Sequence, residues 1–391
     1  MIKLIKSSFY KEKETKQALN KFISGAEILS FSQQCQLFEK NFAIYQGRKE
    51  AVFVNSGSSA NLAIIQALLN LGYLKKGDKV GFSAITWSTN VMPLIQLGLN
   101  PIPIDVELDT LNVSVETIEK SLAKTKIKML FLTNLLGFSD EIDQIQKFCE
   151  KKNIILIEDN CESMGTVYQG KKLGNFGLAS TFSFYVGHHM STIEGGMVCT
   201  DDEELATMLR IVRAHGWDRN LSEANQAKVR IKHQVNSSFY SRYTFYDLGY
   251  NLRSTEINGF LGNFQLQFID EIVKRRQENF LKLSIIYKNP LFYPIKWDHL
   301  DVVSNFAIPI VCKSKETKNK LVEKCNGKVE IRPIVGGNMT KQPFYKKYIE
   351  ENGQLIENAS LVHENGLYFG NNPELTKEEI KLLIEIFSEI R

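Results

Sequence analysis

The chain has 391 residues, 43% of them hydrophobic and 24% charged, a globular balance that allows a large core and excludes a disordered or low-complexity chain. Its 48 Lys and Arg against 44 Asp and Glu leave a formal charge of +4, spread along the sequence rather than gathered in a stripe, so nothing in the charge points to nucleic acid. The opening MIKLIKSSFY has no long apolar stretch or small-residue cleavage site, and no run approaches the roughly 18 apolar residues of a membrane span, so a cytoplasmic protein with no membrane partner is expected.

From residue 50 to 200 short β-branched runs alternate with amphipathic stretches. The runs are AVFV (51–54), KVGF (79–82), PIPIDV (101–106), IKMLFLTN (127–134), IILIED (154–159), STFSFY (180–185) and GMVCT (196–200). Strands separated by helices at this spacing predict an α/β layered, mostly parallel seven-stranded sheet, whose ligands collect at the carboxyl ends of the strands. A long helix over 263–287 is expected to link this large cofactor-type domain, residues 1–262, to a smaller α+β C-terminal domain, residues 263–391. That domain should hold strands in VSNFAIPIV (303–311) and KVEIR (328–332) and a last helix from Thr376, where Thr376 and Glu379 form a capping box. The six cysteines lie far apart with no CxxC pair, which argues against zinc or a disulfide framework, and no metal is expected.

Four segments stand at strand ends. NSGSSAN (55–61) follows the first strand and opens a helix over 62–69; its small residues suit an anion at a helix N-terminus, as they would an ordinary polar helix start, and it lacks the GK[ST] of a Walker loop. TWST (86–89) offers Trp87 as a core plug or as a platform for an aromatic ring. In IEDNCESMG (157–165) carboxylates end a very apolar strand and need a partner, for which a protonated heterocyclic nitrogen would serve. In STFSFYVGHHMSTIEGGM (180–197) His188 and His189 are neighbours, so at most one is expected to face a site.

Together, in this order, the segments resemble the fold type I pyridoxal-phosphate (PLP) proteins and, within them, the DegT-type sugar aminotransferase family. The resemblance runs from FEKNFAIYQG (38–47) through LGYNLRSTEINGFLGNFQL (248–266) to IRPIVGGN (331–338). It implies that Asp159 holds the pyridine nitrogen, that Trp87 stacks on the ring, and that Gly57, Ser58 and Ser183 take the phosphate. It further implies that Glu162, where aminotransferases usually carry Gln, sits near the phenolic oxygen, and that Asn251 reaches across from the other subunit of a homodimer with shared active sites.

One departure from the family pattern changes the expected chemistry. Family aminotransferases carry the cofactor-bonding lysine in a stretch resembling SFYPGK, whereas this chain reads SFYVGH, with His188 in the lysine's place and no lysine between Leu173 and Ala227. Imidazole cannot form that covalent link, so the cofactor is expected to be held noncovalently and to work as pyridoxamine phosphate (PMP), with His188 moving protons. What the resemblance then implies is C3 deoxygenation of a nucleotide-linked 4-keto-6-deoxy sugar, as in the family's histidine-bearing 3-dehydratases. The substrate would be GDP-4-keto-6-deoxy-D-mannose or the corresponding heptose. L-glutamate would restore the amine, and ammonia and 2-oxoglutarate would leave. His215, in AHGWDRN (214–220), is expected beside the site; Arg219 and Arg332 are candidates for the diphosphate or for surface salt bridges. Only Cys312 and Cys325 follow residue 250, too few for the four-cysteine iron–sulphur cluster of one related dehydrase. The alternatives are an aminotransferase borrowing Lys171 or Lys172, and a catalytically inactive nucleotide-sugar sensor.

Overall fold

The computed structural model describes residues 1–123, 125–350 and 356–390. The seven apolar runs form one sheet of β1 (Glu50–Val54), β2 (Lys79–Ser83), β3 (Asn100–Ile104), β4 (Met129–Thr133), β5 (Ile155–Asp159), β6 (Ala179–Ser183) and β7 (Gly196–Thr200). Their order is β1-β7-β6-β5-β4-β2-β3, and β7 alone runs against its neighbours. Both faces of the sheet are covered, which is why its strands read as continuous apolar runs. Along β4, Met129 and Phe131 join the core under the helix Gly57–Asn70, while Leu130 and Leu132 join the larger core that extends into the C-terminal domain. A third, aromatic cluster of Phe38, Phe42, Phe53, Phe182 and Phe184 packs edge to face beneath β1 and β6.

The smaller domain has an antiparallel sheet of β8 (Ala307–Val311), β9 (Ile331–Arg332) and β10 (Gly366–Gly370), with β10 in the centre. Thr376 and Glu379 make the expected capping box on the helix Lys377–Ser388. The two predicted strands here are shorter than expected. Ser304 and Asn305 spend their backbone on the histidine loop and the turn at Asn371 instead of the ladder. Ile2 bridges Val329, so the first residues of the chain pack on this domain.

The linking helix is two helices, Glu256–Leu266 and Ile269–Leu283. Phe268 leaves helical geometry at φ −104° and ψ 0°, and its N–H closes a tight turn on Gln265. The Gln265 side chain is meanwhile held by Tyr10 and Thr15. The helix after β1 also begins earlier than predicted, at Gly57, because the Ser56 hydroxyl accepts the Ser59 N–H and caps it there.

Candidate active site

The carboxyl ends of β1, β4, β5 and β6 open on one cleft of about 430 Å³, completed by the loop carrying His188 and by residues of the smaller domain. Of the residues singled out from sequence, Gly57, Ser58, Trp87, Asp159, Glu162, Ser183, His188 and Arg332 line it.

At one end Ser56, Gly57 and Ser58 present the N-terminus of the helix Gly57–Asn70 to Ser183. A Cβ on Gly57 would meet the Ser183 Cβ at 2.6 Å and the Cys161 Sγ at 3.2 Å, so only glycine leaves this cradle its depth. Free N–H groups, the positive helix end and hydroxyls together suit a phosphate.

In the middle, three donors converge on Asp159. Asn61 Nδ2 at 3.0 Å and Asn90 Nδ2 at 2.7 Å reach Oδ2, and the Cys161 N–H reaches Oδ1 at 2.9 Å. The carboxylate is thereby fixed at the cleft wall, placed to meet a ring N–H. Sequence reasoning missed Asn61 and Asn90, although each stood in or beside a quoted motif: Asn61 lies four residues after Gly57, on the same face of its helix. Trp87 is 54% exposed on the same wall, free to cover a flat ligand. Glu162 is buried and accepts the Leu136 N–H at 2.8 Å; burial, with Asp159 nearby, pushes its carboxyl up to about 8. An anion cradle, a fixed carboxylate and an aromatic platform fit PLP or PMP, with Gly57, Ser58, Ser183, Asp159, Trp87 and Glu162 as the residues that would hold it.

On the opposite side His188 is half-buried, its ring between Tyr185 at 6.1 Å and Phe306 at 5.6 Å between centroids. Burial pulls the imidazole down to about 4, against Asp159 and reinforced by the Arg276 guanidinium, so it is neutral at pH 7. His189 is buried behind it with Nε2 2.9 Å from the Ser304 carbonyl, outside the cleft lining. Among the described residues no lysine lines the cleft. Lys172 donates to the Tyr45 carbonyl and sits over that ring, and Lys171 sits over Phe176, both on a small hairpin away from it.

His215, Arg219 and Asn251 do not line this cleft but come together elsewhere, in one exposed patch. Ala214 bridges Asn251, and Arg253 binds the Asn251 side chain at 3.0 Å and lies 3.5 Å from His215 Nε2. Arg219 stacks over Trp217 at 4.3 Å and Tyr243 at 4.6 Å. His215 has φ 59°, and Gly216 beside it would drive a Cβ to 2.0 Å from the Asp247 carbonyl, so the turn carrying the imidazole is tightly specified. Arg332 reaches the cleft but is engaged by Glu330 at 2.5 Å.

The profile of the DegT/DnrJ/EryC1/StrS aminotransferase family matches residues 10–388. The chain belongs to this family. It is therefore a fold type I, PLP-dependent family member, in keeping with the sheet and cleft described above. It is 35% identical over 390 residues to the GDP-4-keto-6-deoxy-D-mannose 3-dehydratase of Yersinia pseudotuberculosis, covering 98% of this chain and 97% of that one. Two solved structures superpose with a TM-score of 0.89 over 99% of this chain and 100% of theirs. One, 33% identical, is a histidine-to-asparagine variant of GDP-4-keto-6-deoxymannose-3-dehydratase (ColD) with bound GDP-perosamine. The other, 32% identical, is a GDP-4-keto-6-deoxymannose-3-dehydratase with a trapped PLP-glutamate geminal diamine. Cys312 and Cys325 are both buried, and among the described residues no group of three or more His, Cys, Asp or Glu is arranged to hold a metal ion. No described helix is long and apolar enough to cross a membrane.

Proposed function

We propose that this chain is a cytoplasmic PLP/PMP-dependent 3-dehydratase that removes the C3 hydroxyl of a nucleotide-linked 4-keto-6-deoxy sugar. The substrate is GDP-4-keto-6-deoxy-D-mannose or the matching heptose, and L-glutamate restores the amine with release of 2-oxoglutarate and ammonia. The product serves 3,6-dideoxysugar synthesis for surface polysaccharide. The observation that carries the reading is a family cofactor cleft lined by His188 and, among the described residues, by no lysine.

The cofactor, when bound, supplies an amine that condenses with the sugar ketone and a ring that accepts electron density. Asp159, held by Asn61 and Asn90, keeps that ring protonated and in place, while the Gly57–Ser58 cradle and Ser183 hold its phosphate. A neutral His188 takes a proton from carbon and, as imidazolium, delivers it to the departing hydroxyl, which leaves as water. With no lysine among the described residues of the cleft, the site has no amine of its own to bond the cofactor covalently, and the bound cofactor would be held by the cradle, Asp159 and Trp87 alone. Asn251, His215 and Arg219 form the patch a second copy offers to the partner cleft, which explains why they gather away from their own; exposed Tyr240, Tyr243 and Phe245 give that face its apolar surface.

The test is mass spectrometry of the product from GDP-4-keto-6-deoxymannose with PLP and L-glutamate, alongside assays for ammonia and 2-oxoglutarate. Loss of the C3 oxygen with both small molecules released is expected. An amino sugar that keeps its C3 oxygen would overturn the reading.

A further inference from the structure

Arg276 lies on the helix Ile269–Leu283, between exposed Lys274 and Arg275 and the buried Asn279 and Phe280. It alone of the three basic residues turns inward, where it is 4% exposed and, among the described residues, has no carboxylate paired to it. A buried guanidinium without a counter-ion is costly, and a fold that keeps one has a use for the charge.

Its contacts converge on the histidine loop. Nη2 donates to the His188 carbonyl at 3.0 Å and Nη1 to the Asn371 carbonyl. The Asn371 side chain returns a bond to the Arg276 carbonyl at 2.9 Å and binds Asn305 Oδ1 at 2.8 Å, while its N–H donates to the Phe306 carbonyl. Phe306 in turn packs its ring in a T-shaped contact against the His188 imidazole. The bracket closes on itself, with Arg276 gripping the backbone of His188 from one side and Phe306 its ring from the other. Both grips come from outside the strands that carry the rest of the site.

We infer that Arg276 is a positioning residue for His188, locking the loop through Asn371 and setting a fixed positive charge behind the imidazole. This rests on His188 being the proton carrier of the proposed dehydration. The charge has two consequences of the same sign. It keeps the resting imidazole neutral and able to accept a proton, and it makes the imidazolium a stronger acid at the moment a hydroxyl must be protonated to leave. The other groups facing His188 are Asp159 and Glu162 across the cleft, Arg332 and Tyr368 from the small sheet, Tyr185 and Glu194 from its own loop, and His189 behind it; Tyr10 and Glu374 stand on the rim of a small cavity beneath the loop. Arg276 is the cation that touches the histidine's own backbone. Burial holds its guanidinium at about 9, still charged at pH 7.

The experiment is an NMR titration of the His188 imidazole in the full-length protein, with and without PMP, its signal among six histidines assigned by its loss in His188→Asn. Arg276→Met removes charge and grip, and the midpoint should rise by about one unit, the usual effect of one nearby charge. Arg276→Gln keeps hydrogen-bond donors at the end of the side chain but no charge, and should raise the midpoint as Met does. Arg276→Lys keeps the charge but not the fork, so the midpoint should hold while kcat falls at least tenfold and KM changes little. Midpoints in Arg276→Met and Arg276→Gln equal to wild type would overturn the inference and leave Arg276 a strut. Failure of the dehydratase reading shows separately, as absence of C3 deoxygenation by the wild-type protein whatever the midpoints do.

Discussion

Replacing Glu162 by Gln tests the electrostatics of the cleft without changing its shape, because Gln Oε1 can still accept the Leu136 N–H. An ordinary glutamate titrates near 4.5, and burial moves this one to about 8. The folded protein therefore binds one more proton than the unfolded chain between those values, and stability falls as pH rises through the window. At about 1.36 kcal/mol per unit, the 2.5 units from 4.5 to pH 7 amount to roughly 3 kcal/mol, and solvent entering the cleft leaves an expected 1–3 kcal/mol. The glutamine variant carries no such penalty. Its melting temperature, measured by differential scanning fluorimetry on cofactor-free protein, should match wild type near pH 4.5 and exceed it by a widening margin up to pH 8. Contributions of other titrating groups, His188 and His189 included, are common to both proteins and cancel. A difference that is flat with pH, or that narrows as pH rises, would refute the reasoning.

His188→Asn should retain cofactor and nucleotide-sugar binding while turnover falls by about 10²–10⁴, the usual worth of a positioned acid–base group; turnover within tenfold of wild type would place the base elsewhere. Gly57→Ala forces a methyl to within 2.6 Å of Ser183. Overpacking of this kind costs about 1–3 kcal/mol, so cofactor affinity by fluorescence titration should fall by about 5- to 150-fold, and an unchanged affinity would show that the phosphate does not sit there. The rate should depend on pH with an alkaline limb near 8 set by Glu162 and an acid limb near 4 set by His188. Glu162→Gln should lose the alkaline limb alone, which a stopped assay across pH 3–9 would show.

The strands were readable because each is buried on both faces and so is written as an unbroken β-branched run, and the residues after each run were the right place to look for a site. The break at Phe268 was not readable, since no Gly or Pro marks it; it lies beside Gln265, whose side chain is held by Tyr10 and Thr15, some 250 residues away in sequence. His188 could be singled out because it replaces a residue whose chemistry is indispensable to the family's usual reaction. Asn61 and Asn90 could not, because their importance lies in a shared partner, Asp159, that only the fold brings within reach. Arg276 left a signal that went unused. It falls at i+4 from Ile272 and i−4 from Phe280, a charge on the apolar stripe of an amphipathic helix, while the KRRQE run around it reads as a solvated face.

One physical cause organises the cleft. Burial raises an acid and lowers a base, so the same apolar walls that push Glu162 up push His188 down, and at pH 7 both stand uncharged. Environments that drive two groups apart in this way let one site hold a donor and an acceptor of protons together. In a lysine-bearing site the amine would serve as both nucleophile and base. Here no lysine among the described residues lines the cleft, and the proposed dehydration gives the proton role to a side chain gripped from outside the sheet, by Arg276 and Phe306. The large domain's strand ends supply the anion cradle and the carboxylate, while the smaller domain and the linking helix hold His188, the proton carrier of the proposed reaction. On that proposal binding and proton transfer are carried by different parts of the fold, and substitutions at Asp159 or Gly57 should act on affinity where those at Arg276 or Asn371 act on rate.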